Sequence, residues 1–154
     1  MYSRLLLRQR DYKSLEKFLF DSYNDFLKDD IFDRSTHNEK LTLLTYLTNC
    51  LYKTKKYKQS LKYSEELLSC MKEYDCFLHD KYLFYYYNIL VLNFAKTDRE
   101  KALDYLNKAS RSEVIKKLPS YNAFIYLNRS LIYYYENKHF WKYWNNWYKI
   151  IRSN

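Results

Sequence analysis

Glycine is absent from this sequence of 154 residues, and Pro119 is its single proline. Glycine adopts positive φ angles at little steric cost, so tight β-hairpins and phosphate-cradling loops normally contain it. The sequence therefore excludes a glycine-rich phosphate-binding loop and favours α-helices joined by turns of Asn, Asp, Lys and Ser. The 20 tyrosines favour strands weakly by propensity, but their helical spacing outweighs that preference.

Long hydrophobic runs and cysteine pairs are also missing. No segment reaches the roughly 18 uninterrupted apolar residues of a membrane-spanning helix, and the three leucines at 5–7 are too few for a signal-peptide core. Cys50, Cys70 and Cys76 show no metal-binding spacing, and their odd number argues against a disulfide framework. We therefore expect a cytoplasmic protein with reduced, buried cysteines and no membrane association.

Residues that could perform catalysis or bind a metal ion are few and scattered. His37, His79 and His139 lie far apart, and none has a second histidine four residues away, as a helical zinc site would need. The aspartates at 29–33 lack the central glycine and the distant glutamate of a calcium-binding EF-hand. We therefore expect no enzymatic activity, no metal site and no cofactor.

The net charge of +9 is concentrated at one end of the chain. Residues 1–50 are neutral overall, whereas residues 101–154 contain ten Lys or Arg against three Asp or Glu, a net charge of +7. A basic surface of this kind can attract acidic peptides, nucleic acid or anionic membranes, or can simply keep the protein soluble.

One short pattern, a basic stretch followed by an anchor residue and helix-forming residues, occurs four times. Its copies lie at residues 8–20, 52–68, 96–110 and 137–151, with anchors Tyr12, Tyr57, Arg99 and Phe140 separated by 45, 42 and 41 residues. Apolar runs with helical spacing precede the later copies, as with Leu44, Leu47 and Leu51. The repeat predicts a unit of helix, polar turn and helix, present about three and a half times.

The apolar periodicity predicts helices at roughly 2–9, 11–28, 38–54, 57–74, 78–96, 98–110, 120–137 and 139–152. Asp98 is the predicted N-cap of the sixth helix, and Ser112 is predicted to cap a short helical turn that begins with Glu113. The longest polar connection is the segment 28–38.

Residues 44–68 resemble the tetratricopeptide (TPR) family of helical-hairpin repeats. Ser60 and Ser64, and Ala102 and Ala109 in the next unit, stand at that family's small packing positions. The resemblance implies an all-α fold of antiparallel helical hairpins stacked as a short right-handed solenoid, with residues 1–154 as a single domain. It also implies that Tyr57 wedges between helices. The units are longer than the usual TPR length of about 34 residues, so other helical repeats of about 40 residues also fit.

The resemblance further implies a concave groove lined by the first helix of each hairpin. The groove-facing residues are then Thr45, Asn49, Tyr52, Tyr85, Asn88, Asn128 and Arg129. Asn49 and Arg129 fall near two positions that clamp a peptide carboxylate in some TPR proteins, but Thr45 replaces the usual lysine. The alternative is that these polar residues are only the solvated faces of their helices.

The expected function is a non-enzymatic protein-interaction module, a scaffold or adaptor. It would bind a peptide or helix, with acidic partners favoured, or associate with its own copies through the C-terminal aromatic helix containing Trp141, Trp144 and Trp147. Two alternatives stay open: nucleic-acid binding through the basic, aromatic C-terminal third, and a role as the helical-repeat part of a larger regulatory protein.

Overall fold

A computed structural model describes residue 6, residues 9–28, 34–74 and 79–118, and residues 121–152, with side chains in the last range described to residue 137. Regular structure within these ranges is helical. We number the helices α1 (Tyr12–Phe26), α2 (Arg34–Lys53), α3 (Tyr57–Glu73), α4 (Asp80–Phe94), α5 (Arg99–Ser110), α6 (Glu113–Lys117) and α7 (Asn122–Arg152). The all-α fold predicted from the sequence is confirmed, whereas most of the predicted 2–9 helix lies outside the described residues.

Short polar side chains cap the start of two helices. The predicted N-cap Asp98 accepts a hydrogen bond from the backbone N–H of Lys101 at 3.1 Å, and Asp11 caps α1 in the same way through Ser14. Each bond satisfies one of the free N–H groups in a first helical turn. Ser112 precedes α6 as predicted, but its hydroxyl donates backward to the carbonyl of Ala109 and makes no cap.

Two charged residues occupy positions where helices commonly end in glycine. Lys55 has a φ of 64°, and the next N–H, that of Lys56, donates to the carbonyl of Leu51 at 2.8 Å. Arg10 has a φ of 57°, and the N–H of Asp11 donates to the carbonyl of Leu6. Both are left-handed helix terminations in which the extra bond satisfies a terminal carbonyl. The chain thus builds these turns without glycine.

The helices pack in a regular order. Each consecutive pair from α1 to α5 is in contact, and α2 also contacts α4, which in turn contacts α7. The α1–α2 pair is antiparallel, since Cys50 near the end of α2 bonds the carbonyl of Tyr12 at the start of α1. Helices α3 and α5 each pack on two others, α3 on α2 and α4, and α5 on α4 and α7.

Three groups of buried side chains form the core. Leu15, Leu19 and Leu51 belong to a front group between α1 and α2. A middle group joins α2, α3 and α4 with Tyr23 of α1, and a rear group joins α4 to α7. The small residues Ser60, Ser64, Ala102 and Ala109 are all at most 1% exposed. Because they have short side chains, α3 and α5 can approach their neighbours closely.

Two predicted boundaries and one predicted side-chain position are wrong. Helix α2 begins at Arg34, so the polar connection 28–38 is partly helical. Helix α7 continues through residues 137–139, where the sequence predicted a turn and a second helix. Asparagine weakens a helix far less than glycine or proline, so Asn137 does not end it. Tyr57 does not wedge between helices: it is 47% exposed, and its ring lies 5.6 Å from that of Tyr52.

Candidate binding cavity

A cavity of about 370 Å³ opens between α2, α4 and the start of α7. Its walls are formed by Tyr12, Thr42, Thr45, Tyr46, Asn49, Lys53, Lys81, Tyr82, Tyr85, Asn88 and Phe124. On α2 the lining residues recur every three or four positions, which places them on one side of the helix. The same holds for α4, so two parallel stripes face each other across the cavity.

Hydrogen bonds within α2 hold its wall of the cavity. The hydroxyls of Thr42 and Thr45 donate to the carbonyls of Asn38 and Leu41, each at 2.8 Å, and Asn49 Nδ2 donates to the carbonyl of Thr45 at 2.9 Å. An asparagine amide has two N–H donors and an acceptor oxygen. Asn49 therefore keeps further hydrogen-bonding capacity for a ligand.

Tyrosine hydroxyls tie α4 to the helices on either side. Tyr82 Oη lies 3.0 Å from the hydroxyl of Thr42 on α2, and Tyr85 Oη lies 3.1 Å from that of Tyr121 before α7. Burial, followed by the hydrogen bond to Tyr121, raises the pKa of Tyr85 above that of a free phenol. Tyr85 is therefore a neutral hydrogen-bonding group, and both tyrosines present apolar ring faces.

The charge of the cavity lining is positive. Among the described residues that line it, Lys53 and Lys81 are charged and none is an aspartate or glutamate. Each ammonium group lies near the adjacent tyrosine ring, Lys53 Nζ at 6.0 Å from the Tyr52 centroid and Lys81 Nζ at 5.8 Å from that of Tyr82. Neither lysine takes part in an ion pair found among the described residues. The lining combines aromatic surface with two exposed cations.

The predicted groove residues are only partly brought together. Thr45, Asn49, Tyr85 and Asn88 line the cavity, whereas Tyr52, Asn128 and Arg129 do not. Arg129 is exposed on α7. A clamp formed jointly by Asn49 and Arg129 is therefore not present at this cavity.

Asn88 and Asn128 form a buried pair. Asn128 Nδ2 donates to Asn88 Oδ1 at 2.5 Å, and the two residues are 6% and 7% exposed. These two amides, 40 residues apart, link α4 to α7 rather than offering all their polar groups to a ligand.

Sequence reasoning missed the other seven lining residues, Tyr12, Thr42, Tyr46, Lys53, Lys81, Tyr82 and Phe124. On α2 the sequence did contain a signal. Asn49 and Tyr46 lie four and seven residues before Lys53, which places all three on one face of the helix. On α4 the corresponding signal was the four-residue step from Lys81 to Tyr85.

Two histidines that lie far apart in the sequence meet in the structure. His37 Nε2 and His79 Nε2 are 2.9 Å apart, although 42 residues separate them. The contact joins the first turn of α2 to the residue that precedes α4. Burial, then the charges of His79 and Lys40, lower the pKa of His37. Among the described residues, no group of three or more His, Cys, Asp or Glu could hold a metal ion.

No protein-family model matches the sequence, and no curated protein or solved structure is significantly similar to it. In the part of the chain that the structure describes, no helix has both the length and the apolar character needed to cross a membrane.

Proposed function

We propose that this chain is a non-enzymatic protein-interaction module of TPR-like stacked helical hairpins, with its binding site at the α2–α4 cavity. The packing order supports the architecture, because α2, α4 and α7 contact in sequence while α3 and α5 fill the spaces between them. Side-chain bonds between these helices join residues 40 to 42 positions apart, as with His37–His79, Thr42–Tyr82 and Asn88–Asn128. This spacing agrees with repeats of about 41 residues.

The observation that carries the proposal is one cavity whose described lining combines aromatic walls with two lysines and holds no carboxylate. Tyrosine rings favour an apolar side chain. Lys53 and Lys81 favour a carboxylate on the same ligand, and Asn49 can bond a peptide backbone. An acidic peptide segment with one large apolar side chain satisfies all three features.

The volume of the cavity limits what can enter it. About 370 Å³ is at the small end for ligand sites and holds one or two side chains rather than a folded element. We therefore expect a peptide to anchor one residue between α2 and α4 and to continue over the surface on either side.

The test is fluorescence anisotropy with labelled peptides in which a leucine or phenylalanine is flanked by glutamates. The charge-reversed variant Lys53→Glu/Lys81→Glu is expected to weaken binding about tenfold or more. The matched control is Lys58→Glu on α3, an exposed lysine outside the cavity, which should leave affinity unchanged. Equal affinity for wild type and the cavity variant would place the site elsewhere.

A single-stranded oligonucleotide serves as a second probe in the same assay. The oligonucleotide could bind with an affinity that falls steeply with salt and is unchanged in the cavity variant. This result would contradict the proposal and favour nucleic-acid recognition. The cytoplasmic location and the single domain over 1–154 stay predictions.

A further inference from the structure

The α2–α4 cavity has a direction, because the two helices that form most of it run parallel. At one end, Tyr82 Oη of α4 lies 3.0 Å from the hydroxyl of Thr42 of α2. Further along both helices, the hydroxyl of Ser60 on α3 donates to the carbonyl of Thr48 and accepts a hydrogen bond from Nδ2 of Asn93. Helices α2 and α4 therefore advance in the same direction, with their starts toward the same end of the cavity.

This register places the two lysines of the lining at opposite ends of the cavity. Lys81 is adjacent to Tyr82 in the sequence and so lies at the Thr42 end. Lys53 is the last residue of α2. Between Thr42 and Lys53 the helix advances by about 16 Å, at about 1.5 Å per residue. The cavity thus has one positive charge at each end.

Contacts with tyrosine rings keep each ammonium group near its own end of the cavity. Lys53 Nζ lies 6.0 Å from the ring centroid of Tyr52, and Lys81 Nζ lies 5.8 Å from that of Tyr82. A tyrosine ring attracts a cation at such distances. Because the two ammonium groups are held apart, two separate carboxylates satisfy them better than one.

The part of the lining between the lysines is aromatic. Tyr46 lies one turn beyond Thr42 on α2, and Tyr85 lies one turn beyond Lys81 on α4; both line the cavity. Asn49 follows on α2, one turn before Lys53. An apolar side chain therefore fits between the two charged ends, with an amide beside it that can bond a peptide backbone.

The size of the cavity selects an extended ligand. An α-helix is about 10–12 Å wide with its side chains, too wide for a cavity of about 370 Å³. In an extended chain every second side chain points the same way, and the residues i and i+4 are about 13 Å apart. The flexible side chains of lysine and of an acidic residue can cover the remaining few ångströms between the two ends.

We propose that the cavity recognises an extended peptide segment with a carboxylate on each side of one apolar residue, two residues before it and two residues after it. This inference rests on the function proposed above and specifies its ligand. One carboxylate binds Lys53 and the other binds Lys81, while the apolar side chain lies against Tyr46 and Tyr85. The spacing of the acidic residues, and not their number, then determines affinity.

Two isomeric peptides separate spacing from charge. In the first, glutamates lie two residues before and two residues after a central phenylalanine. In the second, both glutamates follow the phenylalanine, at two and four residues. The other positions are serine and both ends are capped, so composition and net charge are equal. In fluorescence anisotropy at a fixed salt concentration, the first peptide should bind about fivefold more tightly, because the second loses one lysine contact.

Charge exchange tests whether the two lysines meet different ends of the peptide. Lys53→Glu and Lys81→Glu change exposed positions and should keep wild-type helicity by circular dichroism. Each single variant should prefer a version of the first peptide in which one glutamate is replaced by lysine, taking the better of the two versions, whereas wild type should prefer the original. The control Lys58→Glu, outside the cavity, should rank the peptides as wild type does.

The same measurements can overturn the inference. If wild type binds both isomers equally and Lys53→Glu/Lys81→Glu weakens both, the cavity remains the binding site but the two-ended contact is wrong. Single variants that rank the peptides as wild type does would also exclude that contact. If neither isomer binds, or if both bind the double variant as tightly as wild type, the function proposed above and this contact are both wrong.

Discussion

Removing one amide from the buried Asn88–Asn128 pair should destabilise the fold by more than removing both. Asn128 donates to Asn88 at 2.5 Å in a site where both residues are under 8% exposed. In Asn128→Ala the carbonyl oxygen of Asn88 loses this donor. A buried polar group left without its partner costs about 1–3 kcal/mol. At about 2 kcal/mol, a chain of this size should lose about 4–8 °C of melting temperature.

The double variant Asn88→Leu/Asn128→Leu keeps similar side-chain volume and removes both polar groups. It should lie within about 1 kcal/mol of wild type, because no buried group is left unpaired. Urea denaturation followed by circular dichroism measures both free energies of unfolding. A cycle with Asn88→Ala and the double alanine variant isolates the coupling, which we expect to be about 1 kcal/mol. The two amides would not depend on each other if each single alanine variant lost less than about 0.5 kcal/mol and the two losses added up in the double alanine variant.

Three further effects follow from single residues. Lys55→Gly should raise the free energy of unfolding by about 1 kcal/mol, since the residue has a φ of 64° that glycine adopts more readily. Urea denaturation measures this, with Lys62→Gly, at an exposed position in the interior of α3, as a destabilising control. The lowered pKa of His37 means that the folded state binds fewer protons than the unfolded state. The free energy of unfolding should therefore fall as the pH drops below 6.5. In urea denaturation, His37→Gln should remove most of this dependence of the midpoint on pH. Burial raises the pKa of Cys50 to about 11, so its thiolate should be about a hundredfold scarcer than in unfolded chain and correspondingly slow to react with a disulfide reagent.

Each of these effects has a result that contradicts it. A loss of stability in Lys55→Gly would mean that the positive φ is not retained. A pH dependence that is unchanged in His37→Gln would assign the titration to other groups. Rapid labelling of Cys50 in folded protein would show that the thiol is reached without unfolding.

Much of the helix map could be predicted because the governing signals are local. Helices α3 and α5 begin and end within one residue of their predicted bounds, since apolar spacing and the Asp98 cap act over a single turn. The prediction that α7 is interrupted between residues 137 and 139 is wrong, because it depended on likeness to the earlier copies of the sequence pattern. Residues 137–139 contain neither glycine nor proline, so nothing there interrupts the backbone hydrogen bonds.

The candidate cavity was predicted only in part, for a physical reason. Helical spacing places Thr45 and Asn49 on one face of α2, but it does not tell which residues at the edges of that face also line the cavity. The rotation of α2 about its own axis decides this. In the structure Lys53 lines the cavity and Tyr52 does not. That rotation depends on packing with α3 and α4, which no short window of sequence encodes.

By itself, the sequence determined the all-α fold class, because the lack of glycine and the 3.6-residue periodicity act through local backbone geometry. Only the tertiary structure decided which distant polar groups meet. The way in which α2, α4 and α7 lie beside one another brings His37 to His79 and Asn88 to Asn128. The same arrangement places Lys53 and Lys81 at one cavity in which no described lining residue is a carboxylate, because their surroundings are set by helices far away in the chain.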